Sequence, residues 1–168
     1  MPQLEAHLYY GRVPQGDRLR RDVNRLLAKV DAVVALTDVY TGNSDFSDAR
    51  DAKAKMREWV GREPRFHPHA AQHDFEAWLI PYWTEIQELS GSTRAKPAGN
   101  PELLNHNRPP AQRLSEVFHA GKKRSYSKTR DAARILRGKD LAIAAAECAE
   151  LKALLNTLLS LCGGEPMR

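Results

Sequence analysis

Ala32-Val33-Val34-Ala35-Leu36-Thr37 carries no charge and none of the polar–apolar alternation of a half-exposed strand. Its β-branched residues favour extended backbone. An unbroken apolar strand is what a parallel sheet with helices on both faces produces. Ahead of it, Leu19, Val23, Leu26, Leu27 and Val30 recur at spacings of three and four, the stripe of an amphipathic helix after the turn Pro14-Gln15-Gly16, with Asp17 placed to cap it. Leu4–Tyr10 is a short strand-compatible run ending at Gly11.

Downstream, Asp38-Val39-Tyr40-Thr41-Gly42-Asn43-Ser44-Asp45 forms a polar loop leaving the carboxyl end of the buried strand, the edge where open α/β sheets bind ligands. Residues 46–60 read as a polar helix stopped by Gly61. Phe66–Gln72 is compatible with an edge strand, since Pro68 excludes a central one. From Pro101 on the pattern is helical: a single turn at Pro101–His106, helices from Pro109-Pro110 and Thr129, and one long helix over 141–161 spanning about 30 Å. The expected fold class is α/β, a small parallel sheet flanked by helices. Residues 1–168 form a single domain, with 1–90 as the α/β core and 91–168 as a mainly helical, basic portion.

Charge is split unevenly. Residues 1–90 hold 12 Lys and Arg against 14 Asp and Glu, whereas residues 91–168 hold 14 against 7, within a formal net charge of +5. A basic half suits a polyanionic partner such as nucleic acid, or is a solvated face. The apolar stretch Leu141–Leu161 carries Glu147, Glu150 and Lys152, which excludes a membrane span. Met1–Glu5 has neither the basic start nor the apolar run of a signal peptide. Cys148 and Cys162 read as buried thiols in a reducing cytoplasm.

Three groups of residues can carry chemistry. Asp38, at the tip of the strand, is a candidate metal ligand or a loop cap, with Asp45 and Asp48 in solvating or capping positions. In His73-Asp74-Phe75-Glu76, His73 and Glu76 share a face if helical, and Asp74 and Glu76 share one if extended. Either way a carboxylate lies among Phe75, Trp78, Leu79 and Ile80, and such an acid needs a cation, an Arg or hydrogen-bond donors. Hard cations such as Mg²⁺ accept oxygen ligands and often take one or two carboxylates plus waters. His67-Pro68-His69 with His73 resembles a fragment of a zinc site, but no Cys or further ligand completes it. The third group is Lys122-Lys123-Arg124-Ser125-Tyr126-Ser127-Lys128-Thr129-Arg130, five cations around an aromatic ring and three hydroxyls. It can neutralise and hydrogen-bond phosphates, with Arg113 adding to the same face. No phosphate-binding Gly-rich loop with Lys and no Gly-x-Ser-x-Gly elbow is present.

Thr37-Asp38-Val39-Tyr40, His73-Asp74-Phe75-Glu76-Ala77-Trp78-Leu79, Pro101-Glu102-Leu103-Leu104-Asn105, Pro110-Ala111-Gln112-Arg113-Leu114 and Ser125-Tyr126-Ser127-Lys128-Thr129 resemble, in order, successive blocks of the domain-of-unknown-function 4276 family, over about residues 17–162. The resemblance implies a TOPRIM-like fold with an acidic Mg²⁺ or Mn²⁺ site at the strand ends. It further implies kinship with nucleases of phage-defence systems that work beside an ABC-type ATPase. Asp38 matches the strand-end acid, His73 and Glu76 match a His-x-x-Glu block, and Asp74 stands where the family often has Glu. The family's first strand with Val-Glu-Gly has no counterpart in Met1–Tyr10, where Glu5 is the one acid, and Tyr40 stands where a second acid would follow Asp38. Two functions are therefore expected as alternatives. One is a metal-dependent nuclease with Asp38 and Glu76 as ligands, His73 and Asp74 as accessory groups, and Arg113, Lys122, Lys123, Arg124, Tyr126, Lys128 and Arg130 on the nucleic acid. The other is a catalytically degenerate nucleic-acid-binding or scaffold subunit. In both, weak metal binding by Asp38 and Glu76 follows from the absent first acid.

Overall fold

The apolar run becomes strand β1 (Val33–Asp38), and it pairs in parallel with β2 (Phe66–Ala71), Val33 opposite Phe66 and Asp38 opposite Ala71. Parallel neighbours need a crossover, and helix α2 (Ala49–Val60) supplies it, capped by the Asp48 side chain on Asp51 N–H and ended at Gly61. The computed structural model describes residues 3–9, 13–39, 45–104, 108–122 and 124–167, the side chain of Lys122 excepted, and among these residues the sheet has two strands. The Tyr40–Ser44 part of the polar loop, Tyr10, Asn105, His106 and Lys123 lie outside the described residues.

Helix α1 (Gly16–Leu27) buries Leu19, Val23 and Leu27. This one row packs with Met56 and Val60 of α2 and with Phe66. Gln15, not Asp17, occupies the cap position. Asp17 lies in the first turn, where its charge complements the helix dipole and pairs with Arg20 at 2.8 Å.

The expected burial of β1 on both faces is corrected. Val33, Val34 and Ala35 are half-buried, Leu36 is 42% exposed, and Thr37 is buried. In a two-stranded sheet β1 is itself an edge, and the deeper strand is β2, on which both α2 and the last helix pack. Pro68 is accommodated there by register. Val33 N–H bonds to Arg65 O and Val39 N–H to Ala71 O, so the odd-numbered residues of β2 face β1 and the Pro68 nitrogen points away from the ladder. Residues 3–9 are irregular, not a strand, with Leu4 and Leu8 85% and 87% exposed.

After β2 all regular structure among the described residues is helical. A 3-10 helix (Phe75–Tyr82) leads into α3 (Trp83–Ser90). A 3-10 turn (Pro101–Leu103) is followed by α4 (Pro110–Lys122), α5 (Lys128–Leu136), α6 (Leu141–Glu147) and α7 (Ala149–Leu161). Their shared core includes Leu79, Ile80, Ile86, Leu114, Phe118 and Ile135. Helix α4 meets the end of α3 so closely that a Cβ on Gly121 would lie 2.1 Å from the Ser90 carbonyl oxygen. None of these helices is long and apolar enough to cross a membrane.

The long helix expected over 141–161 is two helices, broken at Cys148, whose backbone is extended (φ −127°, ψ 100°). The break has a tertiary cause. The buried Glu102 carboxylate accepts from Glu150 N–H (3.0 and 3.1 Å), from Leu151 N–H (3.4 Å) and from the Trp78 indole (3.0 Å). It thus satisfies amides that a new helix start leaves without partners. Cys148 is buried as expected, but Cys162, past the last turn, is exposed.

His73 has φ 70°, the one non-glycine residue with positive φ among the described residues. The left-handed region costs an L-residue about 1–2 kcal/mol, part of which glycine forfeits through its looser unfolded chain. His73→Gly is therefore expected to raise the melting temperature by a few degrees. Calorimetry checks this, and a lowered Tm would mean that the imidazole contributes more than the turn strains.

Candidate acidic site at the carboxyl edge of the sheet

Because β1 and β2 are parallel, Asp38 and the segment following Ala71 emerge on the same edge, tied by the Val39 N–H to Ala71 O bond at 3.0 Å. The chain then bends through Gln72 and His73. Gln72 Oε1 accepts from Ala49 N–H at 2.8 Å and anchors this bend to the start of α2. Asp74 follows at the cap position of the 3-10 helix, and Glu76 lies in its first turn. The sequence buries both, at 3% and 1% exposure, because they stand beside the buried apolar residues Ala77, Trp78, Leu79 and Ile80.

Helix α5 brings the counter-ion. Lys128 Nζ lies 3.3 Å from Asp38 Oδ2 and 3.5 Å from Glu76 Oε2, and 4.6 Å from the centre of the Phe75 ring. The two carboxylates thus share one ammonium, and their facing oxygens are no farther apart than the two ion-pair lengths together. Asp74 Oδ2 accepts from Ala111 N–H at 3.3 Å, at the start of α4. Asp74 Oδ1, Glu76 Oε2 and the Tyr126 hydroxyl are buried without a hydrogen-bond partner, a costly state for a polar atom.

The electrostatics follow from this geometry. Burial pushes Glu76 up to about 7, Lys128 opposes the shift, and Asp74 and Asp38 add to it. Burial also raises Asp74, partly offset by the Ala111 amide and reinforced by Asp38. For Lys128, burial acts against the charge, and Asp38 and Glu76 outweigh it, so its pKa rises. Burial, with Glu76 and Asp131 nearby, raises the Tyr126 phenol. His73 is half-buried, and burial lowers its pKa. The site therefore joins Asp38, Asp74 and Glu76 with Lys128.

The other basic candidates are placed differently. Arg124 donates to both oxygens of Asp131 (2.8 and 3.0 Å) and stacks 4.5 Å over Phe118. The Tyr126 ring packs on the same Phe118 at 5.5 Å. Arg130 reaches the Asp131 carboxylate at 3.1 and 3.2 Å with half of its side chain exposed. Arg113 Nε donates to Arg108 O at 2.9 Å. Arg124 and Tyr126 thus face into the fold, while Arg130 stays open to solvent.

Two roles were missed in the sequence: Lys128 as shared counter-ion and Asp131 as the acceptor that organises the basic segment. One signal was available. Lys128 and Arg130 lie in the first turn of α5, where cations oppose the helix dipole, so something other than the helix must favour them.

Among the described residues no three His, Cys, Asp or Glu side chains stand together in a way that could hold a metal ion. His69 is neutral, held down to about 4 by burial and by Lys53, and its Nε2 lies 3.0 Å from Thr157 Oγ1. Asp38 and Glu76 offer hard oxygens, and Glu76 Oε2 and Asp74 Oδ1 have no donor. Asp38 and Glu76 are thus two carboxylates facing one position, and a hard divalent cation often takes one or two carboxylates and completes its shell with waters.

Taken together these features define an α/β protein whose parallel β–α–β unit carries an acidic group, bridged by a lysine, at its carboxyl edge. The chain belongs to the family described as "Domain of unknown function (DUF4276)", which it matches over residues 2–159. No curated protein and no solved structure matches it.

Proposed function

We propose that the protein is a TOPRIM-like, Mg²⁺- or Mn²⁺-dependent nuclease that acts on nucleic-acid phosphodiesters. The observation that carries this reading is the convergence of Asp38, from the end of β1, and Glu76, from the 3-10 helix that follows β2, on one cation position 3.3 and 3.5 Å away. Asp38 and Glu76 would hold the metal, with Asp74 beside them. A bound metal would supply Lewis-acid activation of a water and of the phosphate oxygens. The excess of Lys and Arg in residues 91–168 supports a nucleic-acid partner. The kinship with phage-defence nucleases that the family resemblance implies supports an ABC-type ATPase beside it. A second reading, a catalytically degenerate subunit of the same assembly, is favoured by a lysine already seated between the two acids.

A Mn²⁺ titration of wild type, Asp38→Asn and Glu76→Gln, read by thermal shift and by plasmid cleavage, separates these. Weak binding is expected to raise the Tm only at high metal excess, in the mass-action form of ligand stabilisation. Both substitutions are expected to abolish that rise. Cleavage by wild type that both variants lose, with folding intact, supports the nuclease. Stabilisation without cleavage supports the degenerate subunit. Equal responses from all three proteins would remove the site.

A further inference from the structure

We propose that Lys128 is a displaceable internal cation, and that the acidic site exchanges its ammonium for a divalent metal. This rests on the reading of Asp38 and Glu76 as metal ligands and specifies what sets their affinity. Three observations lead to it. Lys128 Nζ lies against one oxygen of each acid, at 3.3 and 3.5 Å, so it fills the place between them that a metal bound by both would take. The lysine is held unevenly, hydrogen-bonded to Asp38 Oδ2 at 3.3 Å but not to Glu76. Half of its side chain is exposed, and its contact with Glu76 is an ion pair without hydrogen-bond geometry, since Glu76 Oε2 has no donor. It also stands on the first residue of α5, where the dipole disfavours a cation.

The consequence is competition. One ammonium satisfies Glu76 poorly, whereas a divalent ion would give each acid a full-strength oxygen contact and release the lysine. The Phe75 ring centre already lies 4.6 Å from the seated Nζ, so a displaced ammonium would keep an aromatic contact at the rim of the same site. There it would face an anionic substrate such as a phosphodiester, so one side chain serves as counter-ion before metal binds and as phosphate contact afterwards.

Mn²⁺ affinity of wild type, Lys128→Met and Lys128→Arg tests this, measured by the loss of free-ion electron paramagnetic resonance signal and by thermal shift. Lys128→Met is expected to bind Mn²⁺ at least tenfold more tightly, and to melt below wild type in chelator but recover with metal. Lys128→Arg, which keeps the charge, is expected to stay within a few-fold of wild type. The Lys128→Met gain should persist in 0.5 M KCl, because a contact exchange is screened far less than a distant charge. Adding Asp38→Asn to Lys128→Met should remove the binding. Equal Mn²⁺ affinity in wild type and Lys128→Met, with the dependence on Asp38 intact, would overturn the exchange and leave the metal site standing. A gain that vanishes in 0.5 M KCl would also overturn it. Absence of Mn²⁺ binding in every folded variant would overturn the metal site and the exchange with it.

Discussion

Replacing Asp131 by Ala is expected to lower the stability of the fold by about 3 kcal/mol, the lower end of what breaking a buried ion pair costs. Asp131 is fully buried and accepts from Arg124 twice, from Arg130 twice and from the Ser127 amide at 2.7 Å. Removing it strands the partly buried Arg124 guanidinium over Phe118 and frees the loop that delivers Tyr126 and Lys128 to the acidic site. Arg130 is half exposed and can turn to solvent, which keeps the loss at the lower end. Urea denaturation at pH 7 measures it, and a loss below about 1 kcal/mol would show that the network is incidental. The loss should also depend on pH. Burial works against the Asp131 charge, but Arg124, Arg130 and the Ser127 amide outweigh it and hold the carboxyl well below the usual range. A depressed carboxyl contributes its stability above the unfolded pKa and loses it as pH falls toward the folded one. The gap between wild type and Asp131→Ala should therefore be full at pH 7 and shrink below about pH 4.

Glu76 has the opposite sign. Its pKa is raised from 4.5 to about 7, so the folded protein binds that proton more tightly than the unfolded chain. The associated stability is complete below about pH 4.5 and is lost as pH rises through about 7. A tenfold change in proton affinity is worth about 1.4 kcal/mol, so the loss comes to roughly 3 kcal/mol. In chelator, wild type is expected to be most stable at mildly acid pH and to weaken toward pH 8. The Asp74 carboxyl is raised in the same direction, so the difference between wild type and Glu76→Gln isolates the Glu76 part. That variant should match wild type near pH 5 and exceed it at pH 8. Chemical denaturation across pH 4.5–8.5 is the measurement, and parallel profiles would show that Glu76 does not titrate in this range. A divalent cation should flatten the wild-type profile, since it favours the ionised carboxylate.

Much of the β–α–β unit was legible in short stretches of chain. The period of Leu19, Val23 and Leu27, the β-branched run at Val33–Thr37, the Asp48 cap and the Gly61 stop are local signals, and the structure places an element at each. The position of Asp38 at a strand end and the burial of Asp74 and Glu76 followed from neighbours within a few residues. The exposure of β1 did not, because the number of strands beside it is a property of the assembled sheet. The break at Cys148 did not either. Residues 141–161 carry a helical pattern throughout, and Glu102, some 46 positions from Cys148 along the chain, ends one helix and starts the next by accepting the amides of the second.

The chemistry of the basic segment shows the same division most sharply. Composition alone marks Arg124, Lys128 and Arg130 as cations available to an anion, and it determines how many there are. It cannot say which anion each one meets. Arg124 and Arg130 are taken up by Asp131, whose carboxylate folds back over them, while Lys128 crosses 90 positions of sequence to reach Asp38. Coulomb attraction acts through space, and only the packing of α5 against the 75–82 helix brings those charges within its short effective range. Sequence determined the kinds of charge and the strand that presents the first acid. Tertiary structure decided which charges are paired, which oxygens lack a donor, and that a lysine sits between two acids at the sheet's edge.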